Sequence, residues 1–172
     1  MKQVSHAPGK SSASVKCDLA LEVLRSFGKL RFAATGSSML PAIWPGETLV
    51  VERARSNQFQ VGDVVLVERR GELCAHRLVS KVDGLGISQW ITQGDAISVQ
   101  DDPVDDRDVL GRVAYVIRAG RLVPVPPKLS VVERVTANIA GRSASAARAL
   151  VLIHGVLHAR KKLVSQEVPC QS

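Results

Sequence analysis

From Leu30 to Val125 the chain is cut into short runs rich in Val, Ile and Leu, punctuated by Gly, Asp and Pro, and this punctuation restricts the body to a mostly β fold. The runs are Arg31 to Thr35, Thr48 to Arg53, Asp63 to Glu68, Glu72 to Val82, Gln89 to Thr92, Gly111 to Ile117 and Arg121 to Val125. Two corners, Arg70-Gly71 and Ala119-Gly120, are short enough to reverse the chain between neighbouring runs. Runs joined in this way pair antiparallel.

The flanks read differently. Residues 1–17 are rich in Ser, Lys, Gly and Pro, bury little apolar surface and read as a flexible leader. Asp18 is placed to cap a helix carrying Leu19, Leu21, Val23 and Leu24, which Gly28 stops. Pro124, Pro126 and Pro127 end the sheet, and a helical tail starts at Ser130, with Gly141 and Gly155 as its expected interruptions. The expected organisation is thus a leader (1–17), a β-rich domain with an N-terminal helix (18–127) and a basic helical tail (128–172).

Charge separates the tail from the body. Residues 1 to 117 hold 14 Lys plus Arg against 14 Asp plus Glu, so the whole net charge of +7 lies beyond them, where nine cations from Arg118 to Lys162 face only Glu133 and Glu167. A basic tail behind a neutral body predicts an acidic partner, either membrane headgroups or nucleic acid. Nucleic acid is the less favoured, because the residues before the first β run hold at most one helix and a helix-turn-helix needs two.

The segment Ala144 to Lys162 is too polar to span a bilayer. It suits either of two roles. It could lie on an anionic surface, with Leu150, Leu152, Ile153, Val156 and Leu157 at the acyl boundary and Arg160, Lys161 and Lys162 against headgroups, or it could cover an apolar face of the body.

No stretch approaches 18 consecutive apolar residues, and the N-terminus lacks the apolar middle of a secretion signal. Cys17, Cys74 and Cys170 are too widely spaced for a metal pattern or a disulfide framework and suit a reducing compartment. The expected location is cytoplasmic, with any membrane contact peripheral. His154 and His158 have metal-compatible i, i+4 spacing but no evident third ligand, so neither a metal nor a cofactor is expected.

Chemistry concentrates in a few segments. In TGSSMLP, Thr35 to Pro41, Gly36 lets the backbone turn, Ser38 presents a hydroxyl, Met39 is a flexible apolar neighbour and Pro41 stiffens the exit. Taken alone, the peptide also reads as a Ser-rich turn. Downstream come His76 in AHRLV, then Gly94-Asp95, then Asp101-Asp102. A serine nucleophile needs a base within hydrogen-bond reach, a histidine suits that task near neutral pH, and a carboxylate can set the histidine's tautomer.

Taken in order, G-x-S-M-x-P (Gly36 to Pro41), P-G-E with a strand after it (Pro45 to Val51), G-D-V-V (Gly62 to Val65), H-R-L-V (His76 to Val79), T-Q-G-D (Thr92 to Asp95), D-D-P-V (Asp101 to Val104) and L-G-R-V (Leu110 to Val113) resemble the signal peptidase I family and its relatives, the self-cleaving SOS-response repressors. The resemblance covers about residues 31 to 120. Most bacterial members use a lysine base where this chain has His76; the archaeal and endoplasmic-reticulum branch has histidine there, with aspartates completing the site.

The resemblance implies a signal-peptidase-like β domain and a Ser-His-Asp endopeptidase. Ser38 would be the nucleophile and His76 the base, with Asp101, Asp102 or Asp95 orienting it. Asp105, Asp106 and Asp108 read as solvated loop charges. The implied substrate is an extended segment with small residues before the cut, added as a β-strand beside Gly36, Ser37, Met39 and Pro41.

Two departures bear on this. Many signal peptidases carry a serine two positions before the nucleophile whose hydroxyl helps bind the oxyanion, and here Gly36 stands there, leaving backbone N–H groups to do so. The family's transmembrane anchor has no counterpart in this chain. Two rival classes follow: a catalytically inactive peptide-binding module on the same fold, and a repressor-like nucleic-acid binder. Cys74, two residues from His76, reads as a buried thiol, and Trp44 and Trp90 as core or cleft-edge aromatics.

Overall fold

A computed structural model describes residues 12–84 and 87–164. Residues 1–11 of the expected leader, residues 165–172 with Cys170, and the side chains of Val156, Leu157, His158, Arg160, Lys161 and Lys162 lie outside the described residues. Helix α1 (Ser12–Phe27) precedes strands β1 (Lys29–Ala33), β2 (Thr48–Glu52), β3 (Val64–Arg69), β4 (Glu72–Gly84), β5 (Ile87–Gln93), β6 (Val104–Asp105), β7 (Val109–Arg118) and β8 (Arg121–Pro124). Helices α2 (Val131–Arg142) and α3 (Ala144–Val164) follow. The strands form one antiparallel sheet ordered β1-β2-β7-β3-β4-β5-β6, with β8 paired to β7. The mostly β class is therefore as expected, with one helix before the sheet and a helical pair after it.

The reversals fall at the two expected corners. Arg70 and Gly71 have φ of 52° and 81°, and Ala119 and Gly120 of 50° and 78°. Successive positive φ values are those of a two-residue hairpin turn whose twist matches the flanking strands.

Both faces of the central strands are covered. On one, Leu24 of α1 packs with Met39, Ile43, Leu49, Val51, Leu66 and Val116; on the other, Val65, Val67, Leu78 and Trp90 pack with Phe59 and Val104. Alternate residues of β3 thus supply both cores, as period-2 geometry requires.

Several elements differ from expectation, among them β1, which runs Lys29–Ala33 in register with Thr48–Glu52 where Arg31 to Thr35 was expected. Helix α1 starts at Ser12, before Asp18, so residues 12–17 belong to a helix and not to a leader. The cause is a stripe of Cys17, Ala20 and Leu24, all buried, with the Cys17 thiol donating to the Gly71 carbonyl at 3.2 Å. Strand β7 begins at Val109, ahead of Gly111, because that glycine serves packing: a Cβ there would stand 2.6 Å from the Glu52 carbonyl oxygen. The two-residue β6 was not expected; it pairs Val104 with Trp90. Finally, the tail breaks at Ser143, whereas Gly141 lies in the last turn of α2 and Gly155 inside α3.

Helix α2 opens with the Ser130/Glu133 capping box, and the hairpin docks on the body through a cluster of Leu40, Ala96, Ala140 and Ala147, joined by Leu150 and Val151. His154 stacks on Trp44 with ring centroids 3.7 Å apart. The first half of α3 therefore covers an apolar face of the body. Leu152 and Ile153 stay exposed. No described helix is long and apolar enough to cross a membrane.

Candidate active site

After β1 the chain leaves the sheet and makes a tight turn, with Leu40 N–H donating to Ser37 O and Ile43 N–H to Met39 O. Met39, Leu40 and Ile43 are buried beneath this turn, which leaves Ser38 half-exposed on its outer side. Glu47 of P-G-E holds the far end: its carboxylate accepts from the Trp44 N–H at 2.8 Å and pairs with Arg118, which also donates to the Ala42 carbonyl. The loop is thereby tied to the end of β7.

His76 projects from β4 toward that turn. Its Nε2 lies 3.1 Å from Ser38 Oγ, and its Nδ1 lies 2.6 Å from Asp101 Oδ2. A carboxylate only accepts hydrogen bonds, so a proton on Nδ1 faces Asp101 and the Nε2 lone pair faces the serine hydroxyl. That tautomer is the one able to take a proton from Ser38.

Asp101 is itself held. Thr92, fully buried at the end of β5, donates its hydroxyl to Asp101 Oδ2 at 2.5 Å, and the Asp101 N–H returns a bond to the Thr92 carbonyl at 2.9 Å. Arg69 donates to Thr92 Oγ1 at 3.1 Å and to the Asp102 carbonyl at 2.6 Å. Since the Thr92 oxygen accepts from Arg69, its single proton is directed to Asp101.

The three aspartates weighed for orienting His76 thus separate. Asp101 faces the imidazole. Asp102 is exposed, and among the described residues it meets the site through its carbonyl, which accepts from Arg69. Asp95 is a correction: both its oxygens are taken by Arg77, at 2.7 and 2.8 Å, and Arg77 also donates to the carbonyls of Gly62 and Pro126. Arg77 follows His76 on β4, so its side chain leaves the opposite face of the strand. Among the acidic residues read as solvated loop charges, two also differ: Asp105, on β6, accepts from the Gln89 amide at 2.8 Å and pairs with Arg107, and Asp106 accepts the Trp90 indole N–H at 2.6 Å.

Gly94 closes the site from below. A Cβ there would lie 2.7 Å from Ser38 O and 3.1 Å from Ser38 Cβ, and the Ala96 N–H donates to Ser38 O at 2.8 Å. Among the described residues the Ser38 N–H makes no backbone hydrogen bond, which leaves it available to a developing oxyanion.

A cavity of about 150 Å³ opens beside Ser38, walled by Gly36, Met39, Phe32, Ile43, Cys74 and Ala75 among others. Of the four residues expected to touch substrate, Gly36 and Met39 line it. Ser37 is exposed on a neighbouring depression that also includes Ala147 and Val151. Pro41 is buried in the turn and lines neither, so its part is structural. Among the described residues no group of three or more His, Cys, Asp or Glu could hold a metal ion.

Thr92 was within reach of the sequence as the first residue of T-Q-G-D. Arg69 was not, because nothing in its surroundings sets it apart from Arg70.

Cys74 shares the cavity wall with Ser38. Burial, and then the nearby Asp101 charge, push its thiol up to about 11. The sulfur is therefore protonated at neutral pH and is no rival nucleophile. At pH 8, iodoacetamide followed by peptide mapping is expected to alkylate Cys74 about a hundredfold more slowly than a free thiol, the ratio following thiolate fraction. Labelling at the free-thiol rate would contradict this protonation state.

In comparisons with known proteins, no protein-family model matches the chain, and no curated protein matches it.

Proposed function

We propose that the chain is a serine endopeptidase of the signal-peptidase type. The observation carrying this reading is the hydrogen-bonded line Ser38 Oγ, His76 Nε2, His76 Nδ1, Asp101 Oδ2, with spacings of 3.1 and 2.6 Å at its two junctions. Ser38 Oγ attacks the scissile carbonyl while His76 Nε2 takes its proton, and Asp101 stabilises the resulting imidazolium. The Ser38 N–H donates to the tetrahedral oxyanion. His76 then gives its proton to the leaving amine, and a water, deprotonated by the same nitrogen, hydrolyses the acyl-enzyme.

The cavity beside Ser38 is the natural seat for the side chain preceding the cut. Its walls, which include Phe32, Met39, Ile43 and Leu49, suit an apolar side chain, and the family resemblance adds the expectation that this residue is small. N-terminal proteomics comparing the native host with a strain carrying Ser38→Ala tests the whole reading. New N-termini that vanish in the variant, each preceded by a small residue, are expected. Identical N-terminal profiles would refute peptidase activity in that host.

One observation favours a second reading, a peptide-binding module without catalysis: Gly36 supplies no hydroxyl to an oxyanion. The same position offers a direct test, because a Cβ at Gly36 would meet nothing within 4 Å and the residue has no positive φ. Gly36→Ser should fold as the parent. Removing one oxyanion donor costs on the order of 10²–10³ in kcat, so adding one should raise kcat by about tenfold or more with KM little changed. A cleaving enzyme whose kcat is unmoved by Gly36→Ser would show that the added hydroxyl does not reach the oxyanion, while no cleavage by either protein would favour the binding module.

A further inference from the structure

Helix α2 is inverted with respect to size. Its inward face is made of small residues: Ala137 and Ala140 are buried, and a side chain added at Gly141 would run into the Ala96 carbonyl. Its larger aliphatics point out, with Val131 at 77% exposure, Val132 at 75%, Val135 at 54% and Ile139 at 46%. Val131, Val135 and Ile139 stand at i, i+4 and i+8, so they form one stripe, which Val132 widens. Four exposed branched aliphatics on a 12-residue helix are not what a solvated face carries.

We propose that this outward face of α2 docks on an anionic lipid surface. Charge selects the occupant. Lys128, Arg134, Arg142 and Arg148 are exposed on and around the two helices. The one acid of α2, Glu133, accepts from the Ser130 N–H in the capping box, and beyond residue 117 the sequence has only Glu167 besides. A second copy would bring the same cationic rim against this one, and like charges oppose that pairing. A nucleic acid would satisfy the cations but leave the aliphatic stripe in water. An anionic bilayer satisfies both, taking the aliphatics into the acyl boundary and the guanidinium groups against phosphates.

This face lies on α2, ahead of the segment that the sequence suggested for the same role, whose Val156, Leu157, Arg160, Lys161 and Lys162 side chains lie outside the described residues. Leu150 is packed against the body, and among the described side chains of α3 Leu152 and Ile153 extend the exposed apolar surface. The inference is independent of whether the chain cleaves peptides.

The test is flotation of the full chain with phosphatidylcholine vesicles, with and without phosphatidylserine. Binding is expected only with phosphatidylserine, weakened by added salt, and lowered at least about tenfold by Val135→Asp combined with Ile139→Asp. Both side chains are exposed, so this variant should melt like the parent. If it does not fold, Val135→Trp decides: its emission should shift to the blue on phosphatidylserine vesicles. Absence of binding to those vesicles, binding that the aspartate variant leaves intact, or an unshifted Val135→Trp spectrum would each overturn the proposal. So would a concentration-dependent dimer dispersed by the aspartate variant, which assigns the stripe to a second copy.

Discussion

Ser38→Ala is expected to lower peptide cleavage by at least about 10⁴-fold while leaving the thermal transition within a degree or two of the parent, and His76→Ala should do the same. Residues that act as one unit lose nearly everything singly, because neither an unactivated hydroxyl nor a base without its serine retains the covalent route. Asp101→Asn is the sharper experiment. The amide keeps the shape, but His76 Nδ1 and the Thr92 hydroxyl meet the same oxygen, Oδ2: with the NH₂ there the neutral imidazole takes the tautomer protonated on Nε2, which cannot accept from Ser38, and with the amide oxygen there the imidazolium loses its carboxylate. An equivalent change in a Ser-His-Asp enzyme costs on the order of 10⁴ in kcat. Asp102→Asn should leave cleavage near the parent value, since that side chain is exposed and only its carbonyl is engaged. Equal losses at Asp101 and Asp102, read as kcat with a defined peptide, would refute the assignment of Asp101 alone. Full activity in Ser38→Ala would remove the proposed mechanism altogether.

How much of this was legible in the sequence depended on how local each feature is. The two corners were legible because a two-residue reversal between β runs demands positive φ at adjacent positions, and Gly71 and Gly120 supply it. Ser38 and His76 were legible through ordered short motifs. The choice among the aspartates was not: Asp101 and Asp102 are neighbours on a connection between β5 and β6, where strand alternation does not say which side chain turns inward. What selects Asp101 is a return bond from its own N–H to Thr92 O, a contact across nine residues.

The role of Gly94 was hidden in the same way. Its reason is the approach of the Ser38 backbone from another part of the fold, and Gly111 likewise answers to Glu52 on β2. The apolar stripe of α2 was present in the sequence as valines, but its outward direction depends on the alanines finding Leu40 and Ala96. Such features are properties of packing, and a single chain read in order does not display its packing.

The largest expected loss of stability lies behind the site, at Arg77. Its side chain is 10% exposed and that of Asp95 is 4% exposed, and the guanidinium fork spends its donors on both Asp95 oxygens and on the carbonyls of Gly62 and Pro126. Arg77→Ala would leave a buried carboxylate and two carbonyls without these donors. Breaking a buried pair from one side costs about 3–5 kcal/mol. For a chain of this size, each kcal/mol moves the melting temperature by about 2–4 °C, so a fall of about 6–20 °C is expected.

Arg77→Lys should recover little of it, because one ammonium does not reproduce a bidentate fork together with two further bonds. Arg77→Met combined with Asp95→Leu removes both charges, and it should recover a large part of the loss, since an apolar pair of similar volume is often no worse than a buried ion pair. The stability cycle also bears on catalysis. Arg77 adjoins His76 on β4, and Asp95 adjoins Gly94, whose close approach supports Ser38, so the ion pair joins the segments carrying base and nucleophile. The apolar pair should therefore restore melting more completely than kcat. Calorimetry and steady-state kinetics on the same four proteins would separate the two effects, and a kcat that recovers in step with stability would show that this ion pair holds the fold without setting the distance between Ser38 and His76.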